Sequence, residues 1–386
     1  MNNASSAMLH DEVPVRRCLM HYNPLTMIST ESLSQEWLES VSKKLGYPDK
    51  GLLEKAIRAL SLLELLVKAG CPLCFKGGSS LLLLLRNTIH RISIDVDIIC
   101  PPGTDINVYL EGIRDYGFTR AVRTGREHPG GTIPVSHSKV FYEIAYNPMH
   151  SEAEGYIRLD VLYEDIQYSR VEMVPIEHPV LKTTGEPVMV KVPTKEDILG
   201  DKLTAFGPNS IGIPYEKNGR NCSLEIVKQI FDIGRLFDNV QDFSPAFESF
   251  RRVSVLELSY RGLEGKIDKY YEDVRQTAMC ISTRGYAGQG LFPEIIQGLS
   301  RIKSFMFRCT YLIESAITDS AKAAYLATCF QCNNINIEKY TGPESITKEM
   351  NITPPLHSKL SKLKSSNPEA YFYWAKTNDL MSKSIQ

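Results

Sequence analysis

Lys76-Gly77-Gly78-Ser79-Ser80 and, a short way on, Arg91-Ile92-Ser93-Ile94-Asp95-Val96-Asp97 stand in a largely apolar part of the chain. Leu73-Cys74-Phe75, just before the first, is apolar enough for a short buried strand. Paired glycines let the backbone bend sharply and approach a ligand closely. Ser79 or Ser80 is then expected to cap a helix over Leu81 to Leu85. A strand, a glycine turn and a helix N-terminus together aim backbone N–H groups at one point, which suits a triphosphate. Asp95 and Asp97 are two apart in the apolar segment from Ile92 to Ile99, so on a strand both carboxylates share a face, roughly 6.5 Å apart. Carboxylates placed so are costly to bury unless a cation neutralises them, and oxygen-only ligands favour Mg²⁺ or Mn²⁺. This is the chemistry of nucleotidyl transfer.

The order Gly-Gly-Ser, then Ser-x-Asp-x-Asp, resembles the DNA-polymerase-beta-type nucleotidyltransferases. The fuller forms Lys76-Gly-Gly-Ser79 and Arg91-x-Ser93-x-Asp95-x-Asp97 resemble the AbiEii/AbiGii toxin family, which includes the MenT toxins. Two later segments match that family as well: Asp197-Ile-Leu-Gly-Asp201-Lys202-Leu203, and Lys228-Gln-Ile-Phe-Asp232-Ile-Gly-Arg235-Leu236. The resemblance runs from Phe75 to Leu236, and the gap before Asp95 suits the larger toxin-like members. It implies an α+β fold: a polymerase-beta-type core, a mixed twisted sheet with helices, followed by an α-helical C-terminal domain.

The resemblance also implies roles. Asp95 and Asp97, with Asp160 as a third carboxylate on a neighbouring strand, would hold two Mg²⁺ (or Mn²⁺) ions. Asp160 lies mid-strand in Ile157-Arg-Leu-Asp160-Val-Leu162; otherwise it would point to solvent from an edge strand. Lys202 and Asp232 would help hold the nucleotide and complete the active site, the lysine stabilising charge on the transferred phosphoryl group. Their plainer reading is a surface lysine and a helix–helix salt bridge. Lys76, Gly77, Gly78, Ser79, Arg91, Ser93 and Lys228 would contact the NTP or dNTP. Lys76 and Arg91 could equally be solvated strand-end charges, and Lys228 could pair with Asp232 one helical turn on.

The chain of 386 residues suggests two domains or so, with 43% hydrophobic and 23% charged residues as in ordinary globular proteins. Its formal net charge of −1 supplies no global basic field, so any nucleic acid must meet a local patch. Nine scattered cysteines fit a reducing cytoplasm better than a secreted scaffold. Met1 to Leu25 lacks the apolar region of a signal peptide, and Leu81 to Leu85 is too short to insert in a membrane.

The organisation expected is an N-terminal arm over 1–32, a nucleotidyltransferase core over 33–195 and a helical domain over 196–386. Helices are expected over Leu33 to Leu45, Lys50 to Lys68 and Asp105 to Tyr116. Strands are expected over Val140 to Tyr146, Tyr156 to Leu162 and Val188 to Val192, and Thr194-Lys-Glu-Asp197 is expected to cap the Lys202 helix. Cys71-x-x-Cys74 and Cys329-x-x-Cys332 are too isolated to argue for zinc, and Gly285-Tyr-Ala-Gly288-Gln-Gly290 lacks the preceding strand of a dinucleotide site. Tyr371-Phe-Tyr-Trp374, after several lysines, reads as an aromatic helix face docked on the core in preference to a nucleic-acid contact.

The resemblance implies transfer of NMP from an NTP to an RNA acceptor, the tRNA 3′ end being the MenT precedent, in a toxin–antitoxin or phage-defence system. A cognate antitoxin would then be a partner. A second reading keeps the fold and makes a free oligonucleotide signal for a defence effector, as in Hailong-type systems. A third is a catalytically inactive nucleotide-binding module.

Overall fold

Apolar periodicity builds the first layer. Helix α1, Gln35–Leu45, starts at Ser34, whose side chain accepts from the Trp37 N–H, and stops at Gly46 with φ 66°. Helix α2, Lys50–Lys68, opens on an Asp49 cap and buries Leu53, Ile57, Leu60 and Leu63. The computed structural model describes residues 28–384 apart from 48, 87, 125–133 and 147–153. The expected N-terminal arm lies outside the described residues as far as residue 27.

The core then runs β1 (Cys74–Lys76), α3 (Gly77–Leu84), β2 (Val96–Cys100), α4 (Ile106–Leu110), β3 (Arg120–Thr124), β4 (Val135–Glu143) and β5 (Glu154–Tyr163). These five strands form one mixed sheet in the order β1-β2-β5-β4-β3, with β2 and β5 parallel and every other pair antiparallel. Alternation divides its faces. Val96, Ile98, Ile157, Leu159, Val161, Val140 and Tyr142 are buried on the side where α2 packs. Asp97, Arg158, Asp160, His137 and Lys139 occupy the intervening positions of the same strands and are only partly buried. A separate hairpin, β6 (Val171–Pro175) with β7 (Met189–Pro193), packs beside β1.

Three local expectations shift. The carboxylate strand begins only at Val96, because the segment before it is paired elsewhere. The Ile92 N–H donates to the Phe305 carbonyl (2.9 Å), and the Phe307 N–H donates to the His90 carbonyl (2.9 Å). The helix expected over Asp105 to Tyr116 stops at Leu110, and a 3₁₀ turn follows Gly112, whose φ is 80°. Neither serine caps α3. Lys76 holds the cap position without a side-chain bond, Ser80 Oγ donates back to the Gly77 carbonyl (2.8 Å), and Ser79 is used differently. Edge strand β3 was not foreseen; four of its five residues are exposed, so no apolar alternation marks it.

From Lys195 onward the chain is mainly helical: α5 (Lys195–Thr204), a small hairpin β8 (Glu216–Lys217) and β9 (Arg220–Asn221), then α6 (Ser223–Asn239), α7 (Ser244–Tyr260), α8 (Ile267–Ser282), α9 (Phe292–Ile302), α10 (Ile313–Gln331), α11 (Leu363–Ser366) and α12 (Pro368–Ser384). Thr194 caps α5 as expected, its hydroxyl accepting from the Asp197 N–H (3.3 Å). Helix α10 lies against α6, α8 and α12, and its buried Ala321, Ala323, Ala324 and Ala327 permit close packing. Tyr371 to Trp374 are all buried, and the Trp374 indole N–H donates to Ser282 Oγ (2.9 Å). One contiguous apolar core joins sheet and helices. Among the described residues no helix is long and apolar enough to cross a membrane.

Candidate active site

Strand register lines up a row of polar residues straight across the sheet. Lys76 on β1 pairs with Asp97 on β2, Asp97 with Asp160 on β5, Asp160 with His137 on β4, and His137 with Thr124 on β3. One pleat away, Lys139 pairs with Arg158, and Asp95 stands just ahead of β2 at the level of Arg158. Positions two apart share a face, so the two rows form one surface.

The Gly-Gly turn is folded directly beneath the carboxylates. Gly77 has φ 76°, and a Cβ there would lie 2.2 Å from Asp97 Oδ2. A Cβ on Gly78 would lie 2.9 Å from Arg91 Nη2 and 3.1 Å from Ser93 Oγ. Only glycine leaves room at these two points. Ser79 is buried and donates its hydroxyl to the Asp95 carbonyl, tying the start of α3 to the carboxylate segment.

Asp97 is pushed up to about 7 by burial and then by the negative charges of Asp160 and Asp95, against the pull of Lys76 and Lys202. Burial also raises Asp95, opposed by Arg158 and Lys228 and reinforced by Asp160 and Glu225. The protein alone therefore leaves negative charge incompletely compensated here. A hard cation would supply the missing charge, and the donors are all carboxylate oxygens, so Asp95, Asp97 and Asp160 fit Mg²⁺ or Mn²⁺ chemically. Their side chains are engaged separately: Asp97 leans against Gly77, and Asp160 Oδ1 lies 2.8 Å from His137 Nδ1. Among the described residues no three Asp, Glu, His or Cys side chains are gathered as a finished metal site.

Behind the turn lies a buried ion triad. Arg91 donates to both oxygens of Asp232, from Nη2 to Oδ2 at 2.7 Å and from Nε to Oδ1 at 3.0 Å. Lys202 Nζ reaches the same Oδ2 at 2.9 Å. Burial pushes the Asp232 carboxyl up, but Arg91 and Lys202, by charge and hydrogen bond, more than offset it and hold it below the usual range. Helices α5 and α6 thus clamp the loop that carries Arg91 and Ser93.

Lys76 sits at the other end of the row, 3.6 Å from Asp201 Oδ2 and facing the Tyr168 ring. Burial works against its ammonium, yet Asp201, Tyr168 and Asp97 outweigh that and hold it well above the usual lysine value. Lys228 does not pair with Asp232; its ammonium lies 3.8 Å from the centre of the Phe305 ring. Burial and the neighbouring Arg91 lower it to about 8, against Asp95, Glu225 and Asp232.

The structure therefore brings Lys76, Gly77, Gly78, Ser79, Ser93, Asp95, Asp97 and Asp160 around one sheet face. Arg91, Lys202 and Asp232 form the support behind it, with Lys228 alongside. Sequence reasoning did not single out His137, Arg158, Asp201 or Tyr168. Asp201 lay inside a matched segment, but the others emerge only from register and loop packing.

Residues 61–301 match the family described as the nucleotidyl transferase AbiEii toxin of type IV toxin–antitoxin systems. No curated protein matches the chain. Among solved structures, MenT4, a nucleotidyltransferase toxin of Mycobacterium tuberculosis H37Rv, is similar at 13% identity, with 78% of this chain and 90% of that chain covered and a TM-score of 0.48. JHP933 of Helicobacter pylori is similar at 15% identity, covering 72% of this chain and 95% of that one with a TM-score of 0.40. With the family match spanning both the Gly-Gly turn and the α5–α6 clamp, the chain belongs to the AbiEii nucleotidyltransferase toxin family.

Proposed function

We propose that the protein is a metal-dependent nucleotidyltransferase that moves a nucleoside monophosphate from an NTP onto the 3′ hydroxyl of RNA, with tRNA as the acceptor, inside a toxin–antitoxin pair. The observation that carries this reading is the opposition of Asp97 and Asp160 across adjacent parallel strands, directly beside the Gly77-Gly78 turn. Asp95, Asp97 and Asp160 would hold two Mg²⁺ or Mn²⁺ ions, which would neutralise the triphosphate and make the attacking hydroxyl more acidic.

The chain itself binds and orients. The backbone amides of the turn and the Ser93 hydroxyl offer donors to the β and γ phosphates, and Lys76 adds a fixed positive charge at the row's end. Arg91, Lys202 and Asp232 act as positioning residues: both cations are held on the one buried Asp232 carboxylate, and the triad's remaining positive charge is felt by Asp97. The hydroxyl oxygen bonds to the α-phosphorus as the bond to the bridging oxygen breaks. Its proton is lost to solvent or a neighbouring base, and pyrophosphate leaves on the opposite side.

The test is incubation of the full chain with each α-labelled NTP, Mg²⁺ or Mn²⁺ and total cellular RNA. Label in RNA that requires the divalent ion supports the reading. Label in protein alone overturns the RNA acceptor, and oligomers formed without any acceptor would replace it with synthesis of an oligonucleotide signal.

A further inference from the structure

Beyond Asp160 the character of the sheet face changes within one strand spacing. On the β1–β2 side stand the carboxylates and the glycine turn. On the β5–β4 side stand Arg158, Lys139 and His137. These residues line a cleft of about 250 Å³ with Tyr156, and Arg220 closes it from the β8–β9 hairpin. Arg158 shares its charge with Asp95 and Asp160, which outweigh burial and hold it above the usual arginine value. Lys139 instead rests over the Tyr156 ring at 4.2 Å, and Tyr156 is among the exposed large apolar side chains. Phe141 lies behind it, ring centres 5.9 Å apart, and carries the Arg120 guanidinium at 4.0 Å. Cations interleaved with an exposed aromatic ring suit a single strand, whose phosphates meet the charges while a base stacks on the ring.

Displacement geometry says which strand. In-line transfer puts the attacking oxygen and the leaving pyrophosphate on opposite sides of the α-phosphorus. The anion-holding turn lies on the β1 side of the Asp97–Asp160 pair, so the attacking end approaches from the β4 side, where this cleft opens.

We propose that Lys139, Tyr156, Arg158 and Arg220 form the acceptor subsite, taking the last phosphodiester and the terminal base of a single-stranded RNA 3′ end. His137 stands between the two halves and holds Asp160 Oδ1 at 2.8 Å. The assignment rests on the nucleotidyltransferase reading above and adds to it a location and a ligand chemistry.

The experiment uses the full chain, a short single-stranded oligoribonucleotide with a free 3′ hydroxyl, and the nucleotide found active in the transfer assay. The variants are Arg220→Glu alone, Lys139→Ala with Arg220→Ala, and Tyr156→Ala. Arg220 lies on an exposed hairpin, so its variant preserves folding, checked by an unchanged melting temperature. Each is expected to raise KM for the oligoribonucleotide tenfold or more, leave KM for the NTP unchanged, and weaken direct RNA binding. The double variant should also flatten the salt dependence of that binding by about one to two counterions. Unchanged RNA binding and KM in all variants, with wild-type transfer intact, would overturn the subsite and leave the enzyme reading standing. Parallel loss of NTP binding would likewise overturn it, making the cleft part of the nucleotide pocket. Absence of transfer by the wild-type protein would instead strike the enzyme reading itself.

Discussion

Two aspartates in this site have opposite energetics, although lysines act on both: Asp97 is partly buried and Asp232 fully so. Asp97 faces two other carboxylates, so Asp97→Asn removes repulsion. It is expected to abolish transfer, by three orders of magnitude or so, without lowering the melting temperature. Asp232 is the single anion between Arg91 and Lys202, and Asp232→Asn strands two buried cations. The expected cost is about 3–5 kcal/mol of stability, seen as a clear fall in thermal unfolding temperature. A stable, inactive Asp232→Asn protein would instead assign this carboxylate a direct part in the chemistry. Gly77→Ala tests the turn. Its positive φ and the 2.2 Å approach to Asp97 Oδ2 leave no space for a methyl group, so nucleotide binding and turnover should both collapse. Calorimetric titration of the NTP would register the first effect.

Elements, more than single side chains, hold the site together. Helix α3 cannot move without Asp95, because Ser79 bonds that residue's carbonyl. Helix α5 carries Lys202 and begins at Thr194, whose side chain caps it and also meets Asp197. Asp197 is itself buried and accepts from the Ser169 N–H (2.6 Å), linking α5 to the loop that bears Tyr168. Thr194→Ala should therefore cost about 1 kcal/mol of stability. It should also lower turnover modestly, because Lys202 loses its fixed platform; denaturant unfolding alongside steady-state kinetics separates the two effects. Thr194→Ser should restore both.

Across the whole molecule, helix α1, Arg86 just past the end of α3 and the β6–β7 connection meet around His178. Trp37 on α1 donates its indole N–H to the Val180 carbonyl (2.9 Å), and the Val180 N–H donates to His178 Nδ1 (3.3 Å). His178 is buried, and its Nε2 meets no partner among the described residues. Burial, and then Arg86, lower its value from 6.5 to about 4. Between those two values the unfolded chain binds the proton and the folded one does not. Stability from this residue is thus fully present above pH 6.5 and is lost as pH falls toward about 4, by up to about 3 kcal/mol. Melting temperatures measured over this range should drop, and His178→Asn, which keeps an acceptor for Val180, should reduce the drop. An identical acid profile in the variant would contradict this account.

Chemistry was written in short-range order. Lys76 to Ser79 and Arg91 to Asp97 could be read as a phosphate turn and a carboxylate pair because each is a short local pattern: a strand end running into a helix start, and two acids two apart in nearly extended chain. The long leucine periodicity of α2 and the Thr194 cap were legible for the same reason: their partners lie within a turn or two of chain. The opposition of Asp160 to Asp97, its contact with His137, and the clamp of Arg91 and Lys202 on Asp232 belong to a different order of information. Each joins segments far apart in sequence, through strand register or helix packing, and no local pattern encodes which distant carboxylate will face which cation. The same holds for Ile92 to Asp95. Their apolar alternation reads as strand, yet the run is broken at its start, where His90 to Ile92 pair with Phe305 to Phe307 from the helical region, because a buried N–H must find an acceptor.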